Sequence, residues 1–249
     1  ADKSFERIIN AIVAAGGPKY EYINIDPVYN KDGGAPGANI RPGFLYNPER
    51  VTFNAQGVIS NTASAVYENG KLAVNPSLID PTNVAFDSSR KPLVAQFTFK
   101  GQEVLVIANH WNSKSGDLPV WGKTQPVTYA SEAQRVQIAK VVGEFIANVK
   151  KQNPNANIVA VGDFNDFQWT PAMKALESYG MYNMIHSVPL NERYTYTFQG
   201  NSQVLDHILV SENLKASTVI DILNVNADFT EADGRASDHN PLMVQVEFK

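Results

Sequence analysis

Acidic, amide and histidine side chains collect at the ends of apolar runs in this sequence. The segment VGDFNDF (161–167) follows the run IVAV and places Asp163 and Asn165 two residues apart, on one side of an extended chain. Gly, Asp and Asn are common turn formers, so a plain turn accounts for the segment. A site that binds a metal-bound phosphate accounts for it as well, because carboxylate oxygens are ligands for hard cations.

Three more segments place a histidine beside an acid or an amide at a strand boundary: ANHWNSKSGD (108–117) with Asn109 and His110, LDHIL (205–209) with Asp206 and His207, and ASDHNP (236–241) with Asp238 and His239. Each pair alone is common in loop caps. Their recurrence at successive strand ends indicates catalytic groups carried by loops on a rigid scaffold.

The elements that would position these groups alternate between helix and strand. Residues 4–17 and 132–150 have apolar positions at helical spacing, and a short helix is expected within 170–180. Strand-like runs cover 20–25, 44–53, 93–99, 103–110, 157–164, 205–211 and 241–248. Strands outnumber helices, so we predict one mixed α/β domain with β-sheets at its centre.

Composition narrows the class of protein. The 249 residues are 43% hydrophobic and 10% aromatic, enough for a sizeable core, and no apolar run reaches the roughly 18 residues of a membrane span. A net charge of −4 argues against a basic nucleic-acid coat protein. The absence of cysteine excludes disulfides and thiolate metal sites, and it fits either a reduced or an exported setting.

The motifs NHWNSKSG, GDFND, YTYTFQG…LDHILVS and SDHNPLMVQV, in this order, resemble the endonuclease/exonuclease/phosphatase superfamily. The upstream stretch YEYINIDPVYNKDGGAPGANIRPGFLYNPERV resembles its bacterial, typically exported nuclease-like branch. The resemblance implies a four-layered α/β/β/α sandwich of the DNase I-like type, with the site at one edge where strand-end loops converge. It also implies secretion, or a periplasmic location, in a bacterium.

The resemblance implies a role for each motif residue. His239 would be the general base near the attacking water, oriented by Asp206, and His110 would serve the phosphate as hydrogen-bond donor or as acid for the leaving oxygen. Asp163 would position the water or the metal. Three further roles are implied: Asp238 as a ligand of Mg²⁺ or Mn²⁺, Asn165 as an amide donor to a phosphate oxygen, and Arg41 with Asn109 in substrate binding. Phosphodiester hydrolysis needs such a set, because charge builds on oxygens as water attacks an anion.

The start of the sequence departs from the family pattern. Family members usually open with a strand ending in Thr-Phe-Asn and a later strand ending in Gln-Glu, and this Glu is a principal metal ligand. This chain begins at a helix that the family places downstream, and Glu6 is a poor replacement because it faces out of that helix. We therefore expect residues 1–249 to be one domain that is N-terminally incomplete, with little nuclease activity until the upstream strands are restored.

Three functions fit these observations. The first is a divalent-metal-dependent nuclease with DNA as substrate, without a membrane or an obligate protein partner. In that reading Trp111, Trp121 and Tyr129 would stack on bases, although a loop packed on its own tryptophans explains them equally well. The second is a phosphatase or phosphodiesterase acting on a lipid or a small phosphorylated molecule. The third is a catalytically dead binding module.

Overall fold

The computed structural model describes residues 2–34, 40–118 and 122–248. Its α-helices are α1 (Asp2–Ala14), α2 (Ala130–Gln152), α3 (Pro171–Glu177) and α4 (Glu212–Lys215). Its strands are β1 (Glu21–Asn24), β2 (Gly43–Tyr46), β3 (Thr52–Phe53), β4 (Tyr67–Glu68), β5 (Lys71–Leu72), β6 (Ser77–Leu78), β7 (Leu93–Phe99), β8 (Gln102–His110), β9 (Asn157–Asp163), β10 (Met181–Asn183), β11 (Tyr196–Phe198), β12 (Asn201–Gln203), β13 (Asp206–Ser211), β14 (Thr218–Ile222) and β15 (Leu242–Val246).

A seven-stranded sheet forms the centre of the molecule. Its strands lie in the order β10-β13-β9-β8-β7-β3, and β6 also pairs with β7. β8 and β9 run parallel because α2 connects them, whereas β7 and β13 pair antiparallel with their neighbours. Because β8 and β9 are parallel, both strands end at the same edge of the sheet. The antiparallel strand β13 begins at that edge.

Helices α2 and α3 cover one face of the sheet. The side of α2 that carries Ile138, Val142 and Ile146 packs against Leu105 and Ile107 of β8 in one continuous, fully buried cluster. These positions follow the helical repeat on α2 and the two-residue repeat on the strand, so the two apolar patterns meet across a single layer. This is the largest core cluster of the described residues.

The opposite face is covered by two separate strand pairs, β1–β2 and β14–β15. Ile23 and Phe44 pack on Phe97, and the β14–β15 pair packs on the valines of β8 and β9. Outside β1–β2 lies α1, whose Phe5 stacks on Tyr22 with 5.1 Å between ring centroids. The layers are therefore helix, sheet, sheet and helix, and the predicted DNase I-like fold is confirmed.

The predicted elements agree with the structure except in one place. The run 44–53 is split into β2 and β3 because Asn47 caps a turn through Arg50 and Val51. No helix in the described ranges is long and apolar enough to cross a bilayer.

Candidate active site at the strand ends

Three adjacent strands bring three of the predicted side chains into one row. His110 ends β8, Asp163 ends β9 and Asp206 begins β13, and the register pairs Asp163 with both neighbours. All three residues are on the face of the sheet that the strand pairs cover, because they continue the alternation of Ala108, Val161 and Ile208. The row exists because β8 and β9 end, and β13 begins, at the same level of the sheet.

His239 joins this row from the segment before β15. Its Nδ1 lies 2.7 Å from Oδ2 of Asp206, and its ring lies on Tyr196 with 4.7 Å between centroids. A bridge between His239 and Tyr196 fixes the backbone of that segment. We call His110, Asp163, Asp206 and His239 the catalytic cluster.

The catalytic cluster contains a set of groups that could hold a metal ion. One ligand atom each from Asp163, Asp206 and His239 lie within 4.8 Å of one another. Asp238, the predicted metal ligand, is exposed and is not part of this set. Its carboxylate still raises the pKa of His239, so Asp238 acts on the site through its charge.

Within the cluster, the charge of Asp163 is destabilised by its surroundings. Burial, followed by the charge of Asp206, raises the pKa of Asp163 to about 6. His239, the backbone N–H of Asn165 and the Arg90 guanidinium act in the opposite direction. A bound cation would relieve the repulsion between the two carboxylates, and oxygen ligands suit Mg²⁺ or Mn²⁺.

The pKa values of the two histidines of the cluster are shifted in opposite directions. Burial, followed by the charges of Arg90 and His239, lowers the pKa of His110 to about 4. Burial also lowers the pKa of His239, but its hydrogen bond to Asp206 and the surrounding carboxylates outweigh burial and raise the net value. A neutral His110 can donate a hydrogen bond to a phosphate oxygen but is a poor proton donor at neutral pH. Of its two predicted roles, the electrostatics therefore favour hydrogen-bond donor over acid.

The GDFN turn has a strict backbone requirement. Gly162 has a φ of 131°, and a Cβ at this position would meet the carbonyl oxygen of Asn109 at 2.0 Å. Asn165 has a φ of 51°, a conformation that asparagine tolerates better than most residues. Its backbone N–H donates to Oδ1 of Asp163 at 2.8 Å. The turn and the site are thus one structure, because the turn holds the Asp163 carboxylate in place.

Two predicted substrate contacts are used inside the protein. The side-chain Nδ2 of Asn165 donates to Oδ2 of Asp163 at 3.0 Å and to the Trp111 carbonyl at 3.1 Å, so this amide positions Asp163. Asn109 is only 4% exposed; its amide donates to the Ile107 carbonyl and accepts from the Trp111 indole. A role of Asn109 in substrate binding stays a prediction, and its amide is used inside the protein. It neighbours His110 on a strand and therefore faces the helix side of the sheet.

The aromatic residues that could have stacked on bases are not arranged as one exposed surface among the described residues. Trp111 is fully buried against Phe164, with 4.7 Å between centroids, and cannot stack on a base. Tyr129 is partly exposed and precedes α2, and Trp121 lies outside the described residues.

Arg41 binds side chains that are not members of the catalytic cluster. Its guanidinium binds Asn24 at 2.8 Å and Asp26 at 2.6 Å, and it lines a cavity of about 550 Å³ whose lining includes no member of the cluster. The arginine whose charge acts on the cluster is Arg90, which the sequence reading missed. Arg90 is buried, donates from Nη2 to the Trp111 carbonyl at 2.6 Å, and influences the pKa of both His110 and Asp163. Arg90 lies just before β7, the strand that pairs with β8. This position was the sequence feature that could have pointed to Arg90 as a site residue.

A second polar cluster lies on the helix side of the same strand ends. The Asp166 carboxylate, fully buried, binds Nε of Arg135 at 2.8 Å and Nζ of Lys114 at 2.9 Å. His207 donates from Nε2 to the Asp166 carbonyl at 2.9 Å, and its Nδ1 accepts from Asn183 at 3.0 Å. We call Lys114, Arg135, Asp166 and His207 the anchor cluster, because it ties the GDFND loop to α2 and to the loop after β8.

A sequence profile described as the Endonuclease/Exonuclease/phosphatase family matches residues 66–233. The chain belongs to this family. Its members are hydrolases of phosphate esters, so the Endonuclease/Exonuclease/phosphatase assignment makes this chain a hydrolase of that class. Among curated proteins, none matches the chain significantly.

Solved structures give the same fold at low sequence identity. The human Nocturnin catalytic domain is 14% identical, with a TM-score of 0.59 over 99% of this chain and 78% of that one. A humanized D. rerio TDP2 is 17% identical, with a TM-score of 0.57 over 98% and 80%. A mannosyl-6-phosphatase from Bacteroides thetaiotaomicron is 20% identical, with a TM-score of 0.53 over 98% and 82%. Their names cover different substrates, so the shared fold alone does not select one.

Proposed function

We propose that this chain is a divalent-metal-dependent phosphodiesterase that acts as a nuclease on DNA. The observation that carries the proposal is the contact of 2.7 Å between His239 and Asp206, beside the carboxylate of Asp163. A histidine held by one carboxylate and facing a second has the parts needed to activate water at a phosphate.

The proposed proton path begins at His239. Its Nδ1–H donates to Asp206, which leaves the lone pair of Nε2 to accept a proton from the attacking water. The new P–O bond forms as the bond to the leaving oxygen breaks. The proton of water passes to His239, and the leaving oxygen takes a proton from solvent water. Asp206 stabilises the imidazolium that results, and His110 donates a hydrogen bond to the phosphate.

Asp163 and Asp206 would hold the cation, as their mutual repulsion and their oxygen ligands fit Mg²⁺ or Mn²⁺. When bound, the cation would neutralise part of the charge that builds on phosphate oxygens. Asn165 keeps Asp163 in place during this reaction, because it donates to both carboxylate oxygens.

DNA is proposed as the substrate because the motifs and the upstream stretch resemble the exported nuclease-like branch. The structure of D. rerio TDP2 with a single-strand DNA product, 17% identical, has the same fold. Action outside the bacterial cytoplasm, without a membrane or an obligate protein partner, belongs to the same proposal.

A plasmid-nicking assay across Mg²⁺ and Mn²⁺ titrations tests the proposal, with mannose 6-phosphate and a phosphoinositide as competing substrates. We expect weak, metal-dependent nicking by residues 1–249, which EDTA abolishes and His239→Ala removes. His186→Ala is the matched control, because His186 pairs with Glu177 at 2.8 Å outside the cluster. Release of phosphate from the small substrates without nicking would favour the phosphatase reading. DNA binding without turnover under any metal would favour the binding module.

A further inference from the structure

A second cavity, of about 370 Å³, lies between the loop after β9 and the hairpin β11–β12. One wall is the loop after β9, with Phe167, Gln168 and Trp169, and the other is β12 with residues 201–203. None of the predicted site residues lines it. The mechanism proposed above leaves these side chains without a role.

The cavity presents an open aromatic surface. Trp169 is 61% exposed, and its ring stacks on Phe167 with 5.1 Å between centroids and 25° between planes. The Phe167 ring is held in turn by the Lys114 ammonium, 4.4 Å from its centroid. An indole supported from behind in this way offers a flat surface on which another ring can stack.

The cavity also has an unsatisfied polar group. Gln168 is 9% exposed, and its Oε1 makes no hydrogen bond within the described protein. A buried acceptor without a donor is costly, so a ligand that supplies an N–H would gain from this position. Arg193, whose guanidinium is fixed by the Val188 carbonyl at 2.6 Å, adds positive charge to the lining.

The hairpin β11–β12 connects the cavity to the catalytic cluster. The Tyr196 ring of β11 contacts the His239 ring, and residues 201–203 of β12 form one wall of the cavity. On the other side, Trp169 follows Asp163 by six residues in the same loop. The same hairpin and the same loop therefore contribute residues to both the cluster and the cavity.

We propose that this cavity binds a nucleobase next to the scissile phosphate of a single-stranded nucleic acid. The inference rests on the proposed nuclease function and specifies its substrate. A base has a planar face for Trp169 and an N–H for Gln168 Oε1. A base within a duplex is already stacked and paired, so only an unpaired base can enter.

The test is the binding of a fluorescein-labelled eight-nucleotide DNA strand, followed by anisotropy in EDTA so that the strand stays intact. Trp169→Ala should weaken binding about tenfold, the effect of losing one stacked base, and Trp169→Phe should retain most of the affinity. Tyr29→Ala is the matched control, because Tyr29 is an aromatic residue that is 73% exposed and lies outside the cavity lining. Unlabelled single strand should compete better than duplex of the same sequence.

Equal affinity of the Trp169→Ala variant and the wild type would overturn the inference, even if the protein cuts DNA. Displacement of the strand by mannose 6-phosphate but not by mononucleotides would overturn it as well, because the cavity would then be a sugar site. Conversely, Trp169-dependent binding in a protein that cuts neither plasmid nor the single strand in Mg²⁺ or Mn²⁺ would keep the inference and reject the catalytic proposal. A circular dichroism spectrum matching the wild type confirms that Trp169→Ala is folded.

Discussion

The catalytic cluster and the anchor cluster are built from the same strand ends but have opposite properties. Asp206 and His207 are consecutive, yet Asp206 faces the partly open site and His207 is fully buried behind the sheet. Asp163 and Asp166 are three residues apart in one loop, and they divide in the same way. The catalytic carboxylates are about a fifth exposed, whereas Asp166 has no exposure and two cationic partners.

The difference indicates that polar groups of one loop can serve either to hold the loop in place or to form a binding site. In the anchor cluster the buried Asp166 carboxylate has two cationic partners, and pairing is the condition under which a buried charge is tolerated. In the catalytic cluster two carboxylates remain close together, and burial raises the pKa of Asp163. The paired charges of the anchor cluster support the loop. The neighbouring carboxylates of the catalytic cluster leave a negative site that a cation can bind.

The largest expected effect is on catalysis. His239→Ala should lower kcat about 10²- to 10⁴-fold, the usual contribution of a general base, with little change in thermal stability. Asp206→Asn should lose much of the same factor, and the double variant should be no worse than His239→Ala alone, because the pair acts as a unit. Steady-state kinetics with thermal melts provide the measurement. A melting temperature that falls with kcat would assign the His239–Asp206 pair to structure instead.

The next effect is on stability and belongs to the anchor cluster. Arg135→Ala leaves the buried Asp166 carboxylate short of a partner and should cost about 3–5 kcal/mol in the free energy of unfolding. Lys215→Ala is the control, since its ion pair with Glu212 is exposed and should be worth less than about 1 kcal/mol. Urea unfolding followed by fluorescence measures both variants. Similar values for the two would mean that the anchor cluster does not hold the loop.

The two clusters should respond to acid in opposite directions. Burial lowers the pKa of His207 to about 4, below its unfolded value near 6.5, so its contribution to stability is lost as the pH falls through this interval. The pKa of Asp163 is raised to about 6 from 3.8, so its charge destabilises the folded protein above pH 6 and is relieved on acidification. Each effect is roughly 2–3 kcal/mol and they partly offset each other.

Variants separate these two contributions. Asp163→Asn should be more stable than the wild type at pH 8 and should lose stability more steeply between pH 6.5 and 4. His207→Gln should lose stability less steeply over the same interval. Unfolding free energies measured at half-unit steps of pH give the slopes. Parallel curves for the two variants would contradict the assignment of opposite signs.

The smallest effect concerns Arg90. Arg90→Met removes a buried positive charge that acts on the site and should reduce kcat/KM about tenfold, in the range of one hydrogen bond to a charged group. The pKa of His110, followed by NMR, should rise in the same variant because the charge of Arg90 lowers it. A change in activity with an unaltered His110 titration would indicate a purely structural role for Arg90.

Local pattern was enough to predict the three longer helices, the main strands and the residues at their ends, but not the strands β4–β6, β10–β12 and β14. His110, Asp163, Asp206 and His239 come together because polar residues at the ends of apolar strands have to leave the core. Sequence could not assign a face to each member of an adjacent pair, so Asn109 was placed at the site although it points away. The sequence also did not predict the buried position of His207, since the pattern Asp-His is the same whichever of the two residues faces the helices.

Contacts between distant segments were beyond the reach of pattern. The choice of Arg90 over Arg41 depends on which loop passes the end of β8, and spacing along the chain does not determine this. Trp111 and Trp169 differ in exposure because one packs on Phe164 and the other lies on the surface of a cavity. Composition treats these two tryptophans as equivalent.

The row formed by His110, Asp163 and Asp206 has a consequence for how this protein can change. Its spacing is set by backbone pairing of β8, β9 and β13, where neighbouring strands lie about 4.8 Å apart. A slip of one residue would replace Asp206 by His207 at the site, so intermediate geometries do not exist. Evolution and engineering can therefore vary what is bound through the surrounding loops, while the distance between reacting groups is inherited unchanged from the sheet.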